Sequence, residues 1–350
     1  MKIFSIVGAR PQFIKLAPLS SALSQYHEEY IVHTGQHYDY SMSEKIFLDL
    51  GIRKPDIHLG TNSGSQASQT AEMMIKLECV MLEKKPDIII VFGDTNSTLA
   101  GALAASKLNI PIIHIEAGLR SYNRSMPEEI NRIVADHVSQ YLFVPTQTAV
   151  DILKKEGLEV NTFFTGDIMV DTMKNNIEIA LRKSRVIEDL KLENQEYNLL
   201  TLHRNYNVDR IEILEHILDQ LGQLTEKIIF PVHPRTRKML AANYSVPENI
   251  EIIEPQGYLD FITLEYFSKR IITDSGGIQK EAYLLRKPCI TLRTETEWVE
   301  TVREKWNLLI NPADKMIASK ISCFTPPEQQ EDIFGKDVTK KMLNMINTIH

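Results

Sequence analysis

The feature that most constrains this chain is a rhythm. Short runs, apolar at nearly every position and closed by turn residues, alternate with longer stretches of helical spacing. The runs KIFSIV (2–7), EYIVH (29–33), DIIIVF (87–92), PIIHI (111–115), QYLFV (140–144) and TFF (162–164) come first. Helical patterns at 13–23, 66–83, 97–108 and 149–156 lie between them. A strand that is apolar on both faces has to be covered on both faces. Helices in the connections achieve that in a parallel sheet. The rhythm therefore predicts a doubly wound α/β domain. After a charged helical stretch at 171–196 it restarts with YNLLTLH (197–203), KIIFPVH (227–233), NIEII (249–253), RIITD (270–274) and KPCITL (287–292). Patterns at 211–224, 259–267 and 278–285 fill those gaps. Two such domains are expected, at 1–169 and 170–335, with a linker near 166–171. The last helical segment, 336–350, is placed to pack back on the first domain.

Composition narrows the class. A chain of 350 residues is too long for one ordinary core and suits two. Hydrophobic residues make up 43%, which excludes a disordered chain. With 46 acidic against 39 basic residues the formal charge is −7, so a general electrostatic grip on nucleic acid is not expected. Cys79, Cys289 and Cys323 are odd in number and far apart, neither a disulfide framework nor a zinc pattern. The opening apolar run ends at Val7 and meets Arg10 and Pro11, too short for a signal peptide or a membrane span. These features predict a cytoplasmic protein without a membrane partner.

In an open parallel sheet, ligands bind beyond the carboxyl ends of the strands, so the residues at those ends are the candidates for chemistry. The first strand runs into Gly8-Ala9-Arg10-Pro11-Gln12, with Lys15 in the helix that follows. Two cations near a helix N-terminus favour phosphate, although a glycine turn with two solvated cations has the same spacing. No G-x-G-x-x-G follows, so a dinucleotide fingerprint is absent. Asp94 ends another strand, where an aspartate commonly caps the next helix. Glu116 follows IIHI, a costly place for a carboxylate without a partner, and Arg120 or a ligand would supply one. Glu128 lies in the Pro-Glu-Glu opening of a helix, where acids are favourable in any case. Three carboxylates at consecutive ends would nonetheless converge on one cleft.

The second half offers His203-Arg204, then His233-Pro234-Arg235, then Asp274-Ser275-Gly276-Gly277. The histidine–arginine corners suit an anionic ligand. Gly276 and Gly277 expose amides at a helix start, as a pyrophosphate needs, and Glu281 lies one turn on, within reach of ribose hydroxyls. His33-x-x-x-His37 has metal spacing, but Gly35 breaks the helix such a site would need, so no metal is expected.

Taken together, GARPQFIK, GQH, GDTNSTLAGALAA, HIEAGLRS, MPEEINR, TGD, HPRTR, EPQGYLDF and TDSGGIQKEA make the chain resemble the non-hydrolysing UDP-N-acetylglucosamine 2-epimerases over nearly its whole length. The resemblance implies two Rossmann-like domains facing across a cleft, the GT-B fold. It implies a homodimer and a UDP-sugar substrate for surface polysaccharide precursors, with no metal or other cofactor. The implied reaction eliminates UDP to give a 2-acetamidoglucal and adds it back with C2 protonated on the opposite face. Carried onto this chain, Asp94, Glu116 and Glu128 are the acid/base positions. His203, with Arg10 and Lys15, stabilises the phosphates or the leaving UDP. Gln256, Phe261, Ser275, Gly277 and Glu281 are the nucleotide contacts.

Two departures stand out. Typical members open GTRPE where this chain has Gln12, and they carry an arginine in a TTERPE-like segment where this chain has Trp298. Both resemble the subgroup acting on UDP-2,3-diacetamido-2,3-dideoxyglucuronate, and suggest a remodelled pocket around C6. The 39–45 stretch also differs from members with a second, regulatory substrate site. A GT-B glycosyltransferase would share the cleft but needs no carboxylate cluster at C2. A hydrolysing 2-epimerase would open with a GSRAEY-like motif, which is absent.

Overall fold

The computed structural model describes residues 1–36, 47, 51–61, 64–240 and 244–349. The chain divides into one unit of Met1–Thr172 with Asp332–His350, and another of Met173–Glu331. Among the described residues no helix is long and apolar enough to cross a membrane.

The first unit is built on a parallel sheet of seven strands: β1 (Lys2–Val7), β2 (Glu28–His33), β3 (Ile57–His58), β4 (Ile88–Phe92), β5 (Ile112–Ile115), β6 (Tyr141–Val144) and β7 (Thr162–Phe164). Their order across the sheet is β3-β2-β1-β4-β5-β6-β7. Side chains alternate faces as a pleat demands. Ile88, Ile90 and Phe92 join Ile3 and Val7 in one core layer, while Ile89 and Val91 join Phe4 and Ile6 in the other. Burying each is worth about 1.5–3 kcal/mol, and a one-residue slip would send every one to the wrong layer. The helix Val338–Ile346 adds Val338, Met342 and Ile346, one stripe at helical spacing, to the layer containing Phe13 and Leu16. The other layer admits the helix Asn96–Lys107 closely because residue 101 is glycine; a Cβ there would lie 2.9 Å from Ile6 Cδ1.

The second unit repeats the scheme with six parallel strands: β8 (Tyr197–Thr201), β9 (Lys227–Pro231), β10 (Ile250–Ile253), β11 (Arg270–Thr273), β12 (Cys289–Thr291) and β13 (Asn307–Leu309). Their order is β10-β9-β8-β11-β12-β13. In both sheets the winding direction reverses beside the first strand, between β1 and β4 and between β8 and β11. Connections there leave in opposite directions and open a crevice at the carboxyl ends. The sequence rhythm located eleven of these strands and missed β3 and β13. Both are edge strands of two or three residues, Ile57–His58 and Asn307–Leu309, too short to show as apolar runs.

Candidate active site

At the crevice of the first unit, β1 ends at Gly8. A Cβ there would overlap the hydroxyls of Thr34 and Ser97, so only glycine lets the three segments meet. Gln12 is 1% exposed and folds back under this turn. Its Oε1 accepts from the N–H of Gly8 (2.8 Å) and Ala9 (3.1 Å), while its Nε2 donates to Phe92 O (3.0 Å) and Thr98 Oγ1 (3.1 Å). It thereby ties the end of β1 to the end of β4. Arg10 opens the helix Arg10–Leu23 and is partly exposed. Lys15, one turn further, is 8% exposed and forms an ion pair with Glu116. Glu116 sits just past β5 with φ of 70°, a left-handed conformation that costs a residue with a side chain about 1–2 kcal/mol.

Asp94 follows β4 and pairs with Arg132 of the helix Pro127–Val138. Burial alone would raise the Asp94 carboxyl. The cations of Arg132, Lys15 and His114 more than offset it and hold the carboxyl below its ordinary range. The capping expected of Asp94 falls instead to Thr95, whose hydroxyl accepts from Thr98 N at 3.3 Å. Arg132 also binds Glu129 at 2.9 Å, and Glu129 accepts from the N–H groups of Ser121 (2.9 Å) and Tyr122 (2.8 Å). That leaves adjacent acids with opposite fates. Glu129 is locked into the loop before the helix, whereas Glu128 is partly exposed and its carboxylate makes no hydrogen bond among the described residues.

The second unit gathers a different set. His203, beyond β8, places Nδ1 3.0 Å from Oδ1 of Asp274, beyond β11. The parallel register Thr273↔Thr201 puts these ends side by side. Asp274 is fully buried and also accepts from Arg204 N (3.0 Å) and Asn207 Nδ2 (3.0 Å). Burial pushes its carboxyl up, but His203, Asn207 and the Arg204 amide bring it below the ordinary range. Ser275 stands at the N-cap of the helix Gly276–Leu284 without a side-chain capping bond. A Cβ at Gly276 would overlap the Glu297 carboxylate, whereas Gly277 is exposed. Glu297 pairs with Arg293 at 3.0 Å, and Arg293, 2% exposed, keeps Nε and Nη1 without a hydrogen-bond partner.

The remaining candidates lie around this set. Glu281 is 8% exposed on the same helix, and Phe261 packs partly buried against the Leu199–Ile271 core layer. Gln256 Nε2 donates to Glu254 O at 2.7 Å. His233 is exposed beyond β9. Arg235 belongs to the helix Pro234–Leu240, but its side chain lies outside what the structure describes, as do His37 and the 39–45 stretch.

A family model described as UDP-N-acetylglucosamine 2-epimerase matches residues 21–346. The chain belongs to this family. It is 50% identical to a UDP-N-acetylglucosamine 2-epimerase homolog of Methanococcus maripaludis, over 94% of each chain. It is 46% identical to the UDP-2,3-diacetamido-2,3-dideoxy-D-glucuronate 2-epimerase of Pseudomonas aeruginosa, over 91% of this chain and 90% of that one. Among solved structures it is similar to the UDP-GlcNAc 2-epimerase of Methanocaldococcus jannaschii in complex with UDP-GlcNAc and UDP. That match has a TM-score of 0.90 and 40% identity, over 99% of each chain. The epimerase is thus an isomerase, and its two parallel-sheet units are those of the GT-B fold.

The geometry corrects the sequence reading of Glu116. The partner of Glu116 is Lys15, not Arg120, which is consumed by Asp136 and Glu156, each at 2.6 Å. The departures at 12 and 298 both place a side chain in the interior. Gln12 has all its donors and acceptors turned inward, and Trp298 is 2% exposed beneath the Lys280 ammonium, 4.3 Å from its ring centroid. Residues that the sequence did not single out also do work here. Asp274 orients His203, and Arg132 sets the charge of Asp94. The available signal for Asp274 was an acid closing the strand beside the one that His203 closes.

Proposed function

We propose that this epimerase inverts C2 of a UDP-N-acetylamino sugar, interconverting UDP-GlcNAc and UDP-ManNAc without net hydrolysis. The carrying observation is the trio Asp94, Glu116 and Glu128 at the end of β4, the end of β5 and the start of the next helix, with Lys15 and Arg132 interleaved. A C2 proton of a sugar is barely acidic, so its removal has to be coupled to departure of a good leaving group. One carboxylate takes the C2 proton as the C1–O bond to UDP breaks, and the electron pair becomes the C1–C2 double bond of a 2-acetamidoglucal. UDP oxygen then re-adds to C1 while a second group returns a proton to the other face of C2. No electrons are gained or lost, and no water is consumed. Acid–base groups of this kind contribute roughly 10²–10⁴-fold each.

The second unit supplies the diphosphate end. The Ser275–Gly277 amides, His203 and the unpaired Nε and Nη1 of Arg293 meet the diphosphate. Arg293 thereby supplies a cation although residue 298 is tryptophan. Arg10 adds charge to the leaving group, Glu281 accepts from the ribose, Gln256 and Phe261 take the base, and His233 and Arg235 border the anion. The deciding experiment offers UDP-GlcNAc in deuterated water and follows C2 by NMR. Manno product carrying deuterium at C2 is expected, and release of free sugar in place of a nucleotide product overturns the reading.

A second substrate is favoured by the similarity to the Pseudomonas enzyme: UDP-2,3-diacetamido-2,3-dideoxy-D-glucuronate, epimerised by the same chemistry. Offering both nucleotide sugars separately ranks them by kcat/KM. The working form is a homodimer through the helix Gln66–Lys84, whose Ile75, Cys79 and Leu82 form an exposed stripe one helical face wide. Light scattering reporting a monomer at micromolar concentration refutes it. The three free cysteines suit the reducing cytoplasm, where UDP-sugars are made.

A further inference from the structure

Behind the acid/base cluster runs a line of buried charges that the chemistry above does not use. His114, within β5, is 0% exposed. Its Nε2 lies 2.7 Å from Gly93 O, and its Nδ1 lies 2.7 Å from Oδ1 of Asp136. Asp136, equally buried on the helix Pro127–Val138, accepts at its other oxygen from Gly118 N (3.1 Å) and Arg120 Nη1 (2.6 Å). Arg120 is held in turn by Glu156 at 2.9 and 2.6 Å.

The donor and acceptor count fixes the protons. A carbonyl oxygen only accepts, so Nε2 carries hydrogen. Asp136, gripped by a guanidinium and a backbone N–H, is ionised and only accepts, so Nδ1 carries hydrogen too. The ring is therefore an imidazolium. Its charge and that of Arg120 are balanced by Asp136 and Glu156, as buried charges require.

The placement of Gly93 gives this charge a use. Gly93 has φ of 62°, and a Cβ on it would lie 3.3 Å from Lys15 Nζ and 3.4 Å from Glu116 Oε2. Its peptide is the floor beneath that ion pair, and the next residue is Asp94. His114 holds the floor through Gly93 O, while Asp136 anchors the loop after β5 through Gly118 N. We infer that His114 is a positioning residue, a buried imidazolium that fixes the Gly93–Asp94 segment beneath Lys15 and Glu116 and adds positive charge to the cluster. Asp136 and Arg120 hold it in that form. Its bearing on turnover rests on the proposed roles of Asp94 and Glu116; its charge does not.

The groups facing Asp94 are Lys15 from the helix Arg10–Leu23, Arg132 from the helix Pro127–Val138 and His114 from β5. Glu116 and Glu129 are the carboxylates bound to the first two. Loss of the His114 charge therefore raises the Asp94 carboxyl.

Two measurements test this. Nitrogen NMR of histidine-labelled wild-type protein at neutral pH, assigned by the resonances missing in His114→Gln, should show both His114 nitrogens at the imidazolium position. A neutral tautomer overturns the inference. The double variant His114→Gln with Asp136→Asn replaces the charged pair by two neutral amides, and the flexible Gln side chain holds Gly93 O less rigidly than the ring does. The variant should lower kcat roughly tenfold or more through lost alignment, with KM changed far less. The acid limb of kcat/KM and the Asp94 carboxyl titration, read by carbon NMR, should both move upward. Wild-type kcat with an unmoved acid limb overturns the positioning role. Should the double variant fail to fold by circular dichroism, the wild-type nitrogen spectrum still decides the charge. A protein inactive on every nucleotide sugar refutes the proposed function, while the nitrogen and carbon spectra, which need no substrate, still test this one.

Discussion

Replacing Lys15 with methionine separates what the Lys15–Glu116 pair does for folding from what it does for chemistry. Both side chains retain 10% exposure, so the pair is nearly buried. Removing one partner strands a charge, which costs about 3–5 kcal/mol in such settings; slight solvent access and packing of the methionine stem reduce this to roughly 2–3 kcal/mol. Glu116→Gln strands the lysine instead. The double variant strands nothing and should fall within about 1 kcal/mol of wild type, a coupling of roughly 3–6 kcal/mol. The left-handed strain at residue 116 is common to Glu and Gln and cancels from the cycle. Both tryptophans, Trp298 and Trp306, lie in the second unit, so their fluorescence is an internal control. Urea unfolding followed by amide exchange of the first unit should shift in Lys15→Met, while the tryptophan transition stays put. Turnover should fall by roughly two orders of magnitude or more in both single variants and stay down in the double. A double variant that recovers activity with stability would refute a chemical role for the pair. Additive stability effects within about 0.5 kcal/mol would refute the coupling.

Glu128→Gln should lower turnover roughly a hundredfold with no change in melting, because that carboxylate bonds to nothing among the described residues. Asp94→Asn should match it in turnover but also lower stability, since Arg132 loses a partner; steady-state kinetics with calorimetry compares the two. Arg293→Gln should weaken UDP binding by about tenfold or more in calorimetric titration, the scale of a lost charge-assisted hydrogen bond. Asp94, Asp136 and Asp274 are all held below the ordinary aspartate range, so the stability they contribute is complete above the unfolded value near about 3.9 and is lost as pH falls through the folded values. Acid unfolding followed by circular dichroism should therefore begin below about pH 4, and a midpoint above about pH 5 contradicts this linkage.

What the sequence revealed and what it hid divide along one physical line. Central strands of a parallel sheet are buried on both faces, so DIIIVF and RIITD announce themselves. Edge strands such as Ile57–His58 need no such run and stay silent. Positions of the acids were legible for the same reason, because strand ends in this topology line the crevice. Their partners were not. The ion pairs of Glu116 with Lys15 and of Asp94 with Arg132 join segments far apart in the chain, and no local spacing encodes them. One trace of the buried network did exist. A histidine inside the otherwise apolar PIIHI has to find partners in the core, and Asp136, on a helix face that reads as ordinarily polar, is one of them.

The same logic bears on substrate choice. At position 12 the relevant chemistry is donation, since the amide Nε2 bonds Phe92 O and Thr98 Oγ1. A carboxylate there has no proton to give at neutral pH. The glutamate of a GTRPE opening would thus have to settle the turn differently, or leave Phe92 O to another donor. Gln12 therefore belongs with the geometry of the 93–98 turn that presents Asp94, and its amide atoms are spent there rather than on direct contact with C6 of the sugar. Trp298 is closed over by Lys280. Neither side chain therefore meets a hydroxymethyl or a carboxylate at C6 directly in this arrangement, and any effect of theirs on that choice runs through the segments they hold.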